Sequence, residues 1–155
     1  MHDHPTLFAV QQYPEIDDAF GHWFAGFTDG EGCFRIKTTN QGTYQCRFSI
    51  GLRADDLPIL QEIHARTGVG ILVHSGKDNI KQEQWRLEVN SKAHVRKLVD
   101  VFDRYPLRAK KAADYAIWRQ AVLLWCKVEN GKRHDWHELA ALSQQLRNGR
   151  IYKAA

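Results

Sequence analysis

Two pairs of short segments with alternating apolar and polar residues constrain the fold of this chain most strongly. Such alternation is typical of β-strands that bury one face and expose the other. The first pair surrounds the turn Asn40 to Gly42, and the second pair runs from Val69 to His74 and from Gln84 to Val89. Apolar residues at helical spacing precede, separate and follow these pairs. We therefore predict an α+β fold, an αββαββα core with a four-stranded antiparallel sheet, followed by additional C-terminal helices.

Capping residues and helix breakers set the predicted helix boundaries. The first helix is predicted to start at Asp17 or Asp18 and to stop at Gly30 and Gly32, and the second to start at Asp55 or Asp56 and to stop at Gly68. The third is predicted to start at Ser91 and to end before Pro106, and the last to start at Asp135 and to stop at Gly149. A further long helix precedes the last one. Residues 1–16, which contain two prolines, are predicted to form an extended N-terminal arm, and residues 17–155 a single domain.

Charge and cysteine content narrow the protein class. The 155 residues include 22 Lys and Arg against 18 Asp and Glu, which gives a formal charge of +4. A basic balance suits a polyanionic partner without proving one. The three cysteines, Cys33, Cys46 and Cys126, form no C-x-x-C pair, so neither a disulfide framework nor a thiolate zinc site is expected. We therefore expect an intracellular, reducing environment. In addition, neither a signal peptide nor a membrane-spanning stretch is recognisable.

The polar face of the predicted sheet is a candidate binding surface for double-stranded DNA. By pattern alone, a solvated sheet face is an equally good interpretation. Its composition favours DNA, because Arg, Lys, Gln and Ser suit phosphates and base edges. The candidate DNA-binding residues are Arg35, Lys37, Thr39, Gln45, Arg47, Ser49, Ser75, Gln84, Arg86 and Glu88.

The segment from Phe24 to Gly32 departs from the pattern of an ordinary helix end. Ala25, Gly26 and Gly30 leave one side nearly bare, so a second helix backbone has room to approach. An interior glycine costs roughly 1 kcal/mol relative to alanine in a helix. Asp29 and Glu31 lie at the C-terminal end, where the helix dipole disfavours negative charge. Such local misfits are typical of functional sites.

This segment also resembles the signature of the LAGLIDADG homing endonucleases. The resemblance implies a sequence-specific endonuclease that cuts double-stranded DNA with Mg²⁺ or another divalent cation. Because only one copy of the motif is visible, it further implies a homodimer that reads a long, near-palindromic site. By the same resemblance Glu31 and Gly30 bind the metal, and the dimer interface contains Phe24, Ala25, Gly26 and Gly30.

The resemblance extends from about Phe20 to Val128 and suggests further site residues. The candidate catalytic residues are Glu31, Lys110, Asp29 and Arg53. Lys110 is similar to the active-site lysine of the family, while Asp29 is expected to support the helix end instead of binding metal. The family often places a polar, water-ordering residue just after the second strand. Leu52 occupies that place here, with Arg53 beside it, which departs from the pattern.

Other functions remain open at this point. A protein of the same fold without cutting activity would act as a DNA-binding regulator or an RNA-splicing maturase. A small metabolic enzyme that uses the carboxylates for acid–base chemistry is a further alternative, although no small-ligand motif is visible. For the endonuclease, the resemblance suggests an intron-encoded protein of a bacterial cytoplasm or an organelle.

Overall fold

A computed structural model of the protein describes residues 12–38, 42–75, 83–127 and 136–150. The helices are α1 (Asp18–Glu31), α2 (Leu57–Thr67), α3 (Lys92–Arg104), α4 (Lys111–Lys127) and α5 (Trp136–Asn148), and the strands are β1 (Gly32–Thr38), β2 (Tyr44–Arg53), β3 (Ile71–Ser75) and β4 (Gln84–Val89). A 3-10 turn, Ala54–Asp56, precedes α2. The predicted αββαββα order with extra helices is confirmed. Thr39, the turn residues at 40 and 41, Asp135, Val128 and residues 1–11 lie outside the described ranges.

The helix caps largely follow the prediction. Asp17 caps α1, because its Oδ1 accepts a hydrogen bond from the Phe20 amide at 2.9 Å. Ser91 caps α3 in the same way, through the amide of His94 at 3.3 Å. Asp56 occupies the cap position of α2, yet its side chain makes no capping bond there. None of the described helices combines the length and apolar character needed to cross a bilayer.

The four strands form one antiparallel sheet in the order β1-β2-β4-β3. Strand β3 begins at Ile71, two residues later than predicted. The reason is Gly70, whose φ of +81° turns the chain away from the extended conformation. A Cβ atom at this position would lie 2.7 Å from the Glu88 carbonyl oxygen, so the bend also brings two backbones close together.

Helices cover one face of the sheet, and α5 in addition protects the free edge of β1. The core contains closely packed rings, among them Phe34 and Trp118 with their centroids 5.0 Å apart. At the β1 edge, the Ser143 hydroxyl donates to the carbonyl of Ile36 at 3.3 Å, and the Arg150 guanidinium donates to the carbonyl of Phe34. These side chains satisfy strand carbonyls that an uncovered edge would expose. None of the described helices packs on the opposite face of the sheet.

The described part of the predicted N-terminal arm packs against the helices. The ring of Tyr13 meets His94 edge-on at 6.0 Å between centroids, and the ammonium of Lys97 lies 5.3 Å from the same ring. Pro14 contacts the end of α2, where an added Cβ on Gly68 would lie 2.9 Å from the proline Cδ. Residues 12–17 therefore extend the helical layer without forming a helix or strand.

Candidate active site and nucleic-acid interface

Glu31 stands at the junction between α1 and the open face of the sheet. It is the last residue of α1, its side chain is exposed, and β1 begins at the next residue. This abrupt change from helix to strand depends on Gly32, since a Cβ there would lie 2.6 Å from Cγ2 of Thr28. The carboxylate is consequently held at one end of the sheet without an intervening loop.

Asp29 ties the end of α1 to the loop that precedes α4. Its Oδ2 accepts a hydrogen bond from the amide of Arg108 at 2.8 Å, and its Oδ1 accepts one from the amide of Ala109 at 3.1 Å. The carboxylate, unfavourable at the C-terminus of its own helix, is thereby stabilised at the N-terminal side of α4. Both oxygens are engaged with backbone, which fits the supporting role expected for Asp29.

Lys111, the first residue of α4, contacts the same helix end. Its Nζ donates to the carbonyl oxygen of Gly30 at 3.1 Å, which places a cation at the C-terminus of α1, where the helix dipole favours it. The sequence analysis did not single out Lys111. Its neighbour Lys110, a candidate catalytic residue of the sequence analysis, is exposed in the turn just before α4. The two consecutive lysines are the sequence signal that could have drawn attention to Lys111 as well as to Lys110.

Arg53 and Leu52 occupy opposite faces of β2. Arg53 is exposed at the end of the strand on the open sheet face, and its guanidinium forms an ion pair with Asp55 at 3.2 Å. Leu52 pairs with Trp85 and packs against the core. Gly51 is therefore the β2 residue that faces outward next to Arg53. Leu52, where the sequence departs from the family pattern, therefore lies on the core side of the sheet and not on the open face.

The side of α1 that points away from the core is apolar, and no other described element covers it. We call Ala19, Trp23, Gly26, Phe27 and Gly30 the open side of α1; four of them are exposed and Phe27 is half-buried. A Cβ atom added at Gly26 or Gly30 would meet nothing within 4 Å. Trp23 is 40% exposed and stacks on Phe27 with 5.1 Å between ring centroids. The sequence analysis missed these two aromatic residues, although they recur at the spacing of one helix face.

Two residues predicted for the dimer interface lie inside the subunit instead. Phe24 is 0% exposed and packs against Phe102 with a centroid distance of 5.3 Å. Ala25 is 3% exposed. Direct contact of either side chain with a partner helix is therefore ruled out, because both turn toward the core. The prediction was wrong for Phe24 and Ala25, whereas Gly26 and Gly30 lie on the exposed side.

The helix-free face of the sheet is strongly cationic. The outward strand residues, here called the polar sheet face, are Cys33, Arg35, Lys37, Gln45, Arg47, Ser49, Gly51, Arg53, Ile71, Val73, Ser75, Gln84, Arg86 and Glu88. These described strand residues include five cationic side chains and one carboxylate, that of Glu88. All nine predicted DNA-binding residues inside the described ranges lie on this face.

Hydrogen bonds between neighbouring side chains order part of the polar sheet face. The Nε of Arg47 donates to the Gln45 amide oxygen at 2.9 Å, and the Gln45 amide nitrogen donates to the carbonyl of Asn90 at 3.1 Å. Arg86 contacts Glu88 at 3.3 Å. Because such bonds already restrict the rotamers of long side chains, less conformational entropy is lost when a partner binds.

One chain offers few metal ligands at this site. Among the described residues, no three His, Cys, Asp or Glu side chains lie together as a cation cage. The end of α1 presents the exposed Glu31 carboxylate and the Gly30 carbonyl, which accepts one hydrogen bond from Lys111 and keeps a second lone pair, while both oxygens of Asp29 are engaged with backbone amides. Oxygen donors of this kind suit Mg²⁺, which usually binds through one or two carboxylates and keeps several waters. The donor set fits a cation site that two chains would complete together.

A family model described as LAGLIDADG endonuclease matches residues 24–122, which include the C-terminal half of α1, the whole sheet and most of α4. The chain belongs to the LAGLIDADG endonuclease family. Among its relatives is the probable intron-encoded endonuclease Cox1-I1b of Schizosaccharomyces pombe, 30% identical over 110 residues, a match that covers 68% of this chain and 28% of the relative. The chain spans about a fifth to a third of the length of the curated relatives it matches.

Solved structures of LAGLIDADG proteins share this fold. The meganuclease I-AabMI, bound to uncleaved DNA, is 28% identical with a TM-score of 0.74, and the match covers 86% of this chain and 46% of that one. The archaeal intron-encoded homing endonuclease I-Vdi141I, in complex with DNA, is 19% identical with a TM-score of 0.72, and the match covers 89% of both chains. The fold is thus found both in chains of about this length and in chains about twice as long.

Proposed function

We propose that this chain is a sequence-specific DNA endonuclease that requires a divalent metal and makes double-strand breaks as a homodimer at a long, near-palindromic site. One observation carries the proposal: Glu31 is exposed at the end of a helix whose outward side contains two glycines with open space beside them, next to a cationic sheet face. The names of the relatives support a DNA-cutting activity.

The open side of α1 is the proposed dimer interface. Gly26 and Gly30 carry no side chain, so two copies of α1 are able to pack more closely than the usual 8–10 Å between helix axes. A two-fold axis between them places the same surface of both chains in contact. Each chain then contributes one Glu31, and the two carboxylates arrive near the axis. Trp23 and Phe27 would flank the glycine contact and bury their exposed ring surfaces.

Glu31 and the carbonyl of Gly30 are the proposed metal ligands, and the Gly30 oxygen would bind the metal through the lone pair that Lys111 does not use. A bound Mg²⁺ or similar cation would offset the repulsion between two carboxylates and supply Lewis acidity and an activated water for phosphodiester hydrolysis. Lys110 presents a positive charge from the turn before α4 and would stabilise charge on the scissile phosphate. Asp29 and Lys111 would fix the position of the α1 end relative to the turn before α4, through the hydrogen bonds to backbone described above. Arg53 would contact the phosphate backbone at the same end of the sheet.

The polar sheet face is the proposed DNA-binding surface. β2 has 10 residues, which corresponds to about 33 Å at roughly 3.3 Å per residue, or about ten base pairs at roughly 3.4 Å per step. Two copies related by the α1 contact would read two half-sites of opposite orientation. The intron-encoded relatives favour an intron as the location of the gene, and a relative named as mitochondrial favours an organelle as the location of the protein.

A randomised DNA library incubated with the chain and Mg²⁺ tests this function. We expect enrichment of one long, near-palindromic sequence among the cleaved products. Glu31→Gln should reduce cleavage of that sequence by more than about 100-fold and leave its binding nearly intact, because no sheet contact changes. Glu62→Gln, at an exposed position of α2, is the matched control and should cut normally.

Cleavage by Glu31→Gln at the wild-type rate would show that this carboxylate is not the metal ligand. Tight binding of one sequence without any cleavage by the wild-type chain would contradict the nuclease and favour a DNA-binding regulator of the same fold.

A further inference from the structure

Two large apolar side chains are exposed among the described residues, Trp23 and Ile71. Trp23 belongs to the open side of α1 and has a place in the proposed dimer. Ile71 is the more exposed of the two, at 56%, and lies at the start of the edge strand β3. Neither the core nor the proposed dimer contact accounts for it.

The register of the sheet assigns Ile71 to the polar sheet face. Ile71 pairs with Glu88, which in turn pairs with Ser49, and Ser49 pairs with Cys33. Paired residues of antiparallel strands point to the same face. Val73 pairs with Arg86 and follows Ile71 on the same face. One edge of an otherwise polar, cationic surface is therefore aliphatic.

The neighbours of Ile71 favour a base edge over the DNA backbone. The side chain has no hydrogen-bonding group, so it gains nothing from a phosphate. Glu88 lies directly opposite and repels a phosphate, although its contact with Arg86 at 3.3 Å offsets part of its charge. The major groove contains one apolar group suited to such a contact, the 5-methyl group of thymine.

We propose that Ile71 is a specificity-determining residue that contacts a thymine methyl group in each half-site, with Val73 lining the same contact. This inference rests on the proposed function, since it concerns the DNA that the polar sheet face would read. It adds an apolar base contact to a surface on which all the predicted DNA-binding residues were polar or charged. Its consequence is a preference for thymine that hydrogen bonding alone does not explain.

Replacement of thymine by deoxyuridine tests the contact, because uracil lacks the 5-methyl group and keeps every hydrogen-bonding atom. Each thymine of the target selected from the library is replaced in turn, and binding of the full chain is measured by fluorescence anisotropy without Mg²⁺. At one thymine in each half-site we expect the Kd to rise about three- to fivefold, the effect of one lost methyl contact. Elsewhere the replacement should have little effect.

Two variants assign this preference to the side chain. Ile71→Ala should bring the ratio of the Kd values for uracil and thymine at that position to about one, whereas Ile71→Val, which keeps a branched apolar side chain, should retain most of the preference. Because Ile71 is largely exposed, both variants should keep the wild-type melting temperature and solution mass.

The outcomes separate this inference from the proposed function. If no sequence is selected from the library at all, the proposed function itself fails. If a sequence is selected but deoxyuridine is tolerated everywhere, or Ile71→Ala leaves the ratio unchanged, the assignment of Ile71 is wrong. Loss of the dimer in Ile71→Ala with an unchanged ratio would show that the side chain contacts a second protein chain instead.

Discussion

The two sides of α1 differ in how they accommodate glycine. On the core side, a Cβ atom added at Gly21 would lie 2.3 Å from the ring of Tyr105, which is buried. On the open side, a Cβ at Gly26 or Gly30 would meet nothing within 4 Å. The same residue type therefore has two reasons to be present in one helix. Gly21 makes room for a side chain of its own subunit, while Gly26 and Gly30 leave room for something outside it.

This difference separates folding from assembly along a single helix. The core side, with Phe20, Phe24 and Thr28, holds α1 against the sheet. The open side contributes little to the stability of one chain. Substitutions on the two sides should consequently change different measurable quantities, and the following experiments use that contrast.

The largest effect is expected from Gly26→Leu. A leucine side chain fits the empty space of one chain but overpacks a close helix contact, at about 1–3 kcal/mol for each of two copies. We expect dimerisation and DNA cleavage to weaken on the order of 100-fold or more, with no loss of monomer stability. Sedimentation velocity and cleavage assays measure both quantities. Gln61→Leu, at an exposed position of α2, is the control; if Gly26→Leu assembles and cuts as that control does, the open side is not an interface.

Gly21→Ala should act on folding instead. The added methyl group collides with the Tyr105 ring, and overpacking of this kind costs about 1–3 kcal/mol, from which the better helix propensity of alanine recovers at most about 1 kcal/mol. Urea denaturation should show a lower free energy of unfolding with an unchanged m-value. Gly26→Ala is the matched substitution and should be neutral or stabilising. Equal loss of stability in both variants would remove the distinction between the two sides.

Trp23→Ala tests whether the exposed ring belongs to the interface. Aromatic residues are enriched among the side chains that dominate interfaces, but this ring is 40% exposed and has limited surface left to bury. We expect the dimer dissociation constant to rise about fivefold, or roughly 1 kcal/mol. The concentration dependence of the solution mass measures it. An unchanged constant would place Trp23 outside the contact.

The smallest effect concerns Asp18, the exposed first residue of α1. The Tyr105 hydroxyl donates to Asp18 at 2.8 Å, and this bond, followed by the charge of Arg104, lowers the pKa of Asp18. A carboxyl whose pKa is lower in the folded state adds stability above its unfolded pKa, about 4, and loses it as the pH falls through the folded value. Tyr105→Phe should therefore unfold more easily at pH 6, with a difference that shrinks below about pH 4. A constant difference from pH 3 to pH 7 in urea titrations would contradict this role.

The element order was predictable from sequence because alternation and helical spacing are local patterns. The position of Glu31 was predictable for the same reason, since Gly32 ends the helix directly after it. The orientation of α1 was harder. Phe24 and Ala25 directly precede Gly26 in sequence, but successive helix residues point about 100° apart, so Ala25 points about 100° and Phe24 about 200° away from Gly26, toward the core.

Other parts of the site depended on contacts that are distant in sequence. The bond from Lys111 to Gly30 joins residues far apart in the chain, and nothing in the doubled lysine indicates which of the two would reach that carbonyl. The late start of β3 depends on the φ of Gly70 and its closeness to Glu88. The exposure of Ile71 follows from that start and from its pairing register.

The solution mass of the chain bound to its selected duplex tests the central claim most directly. One chain has a mass of 17.9 kDa. If the open sides of two α1 helices meet, native mass spectrometry should find two chains on each duplex, and Gly26→Leu should reduce this to one under the same conditions. A single wild-type chain on each duplex at every concentration would contradict the account.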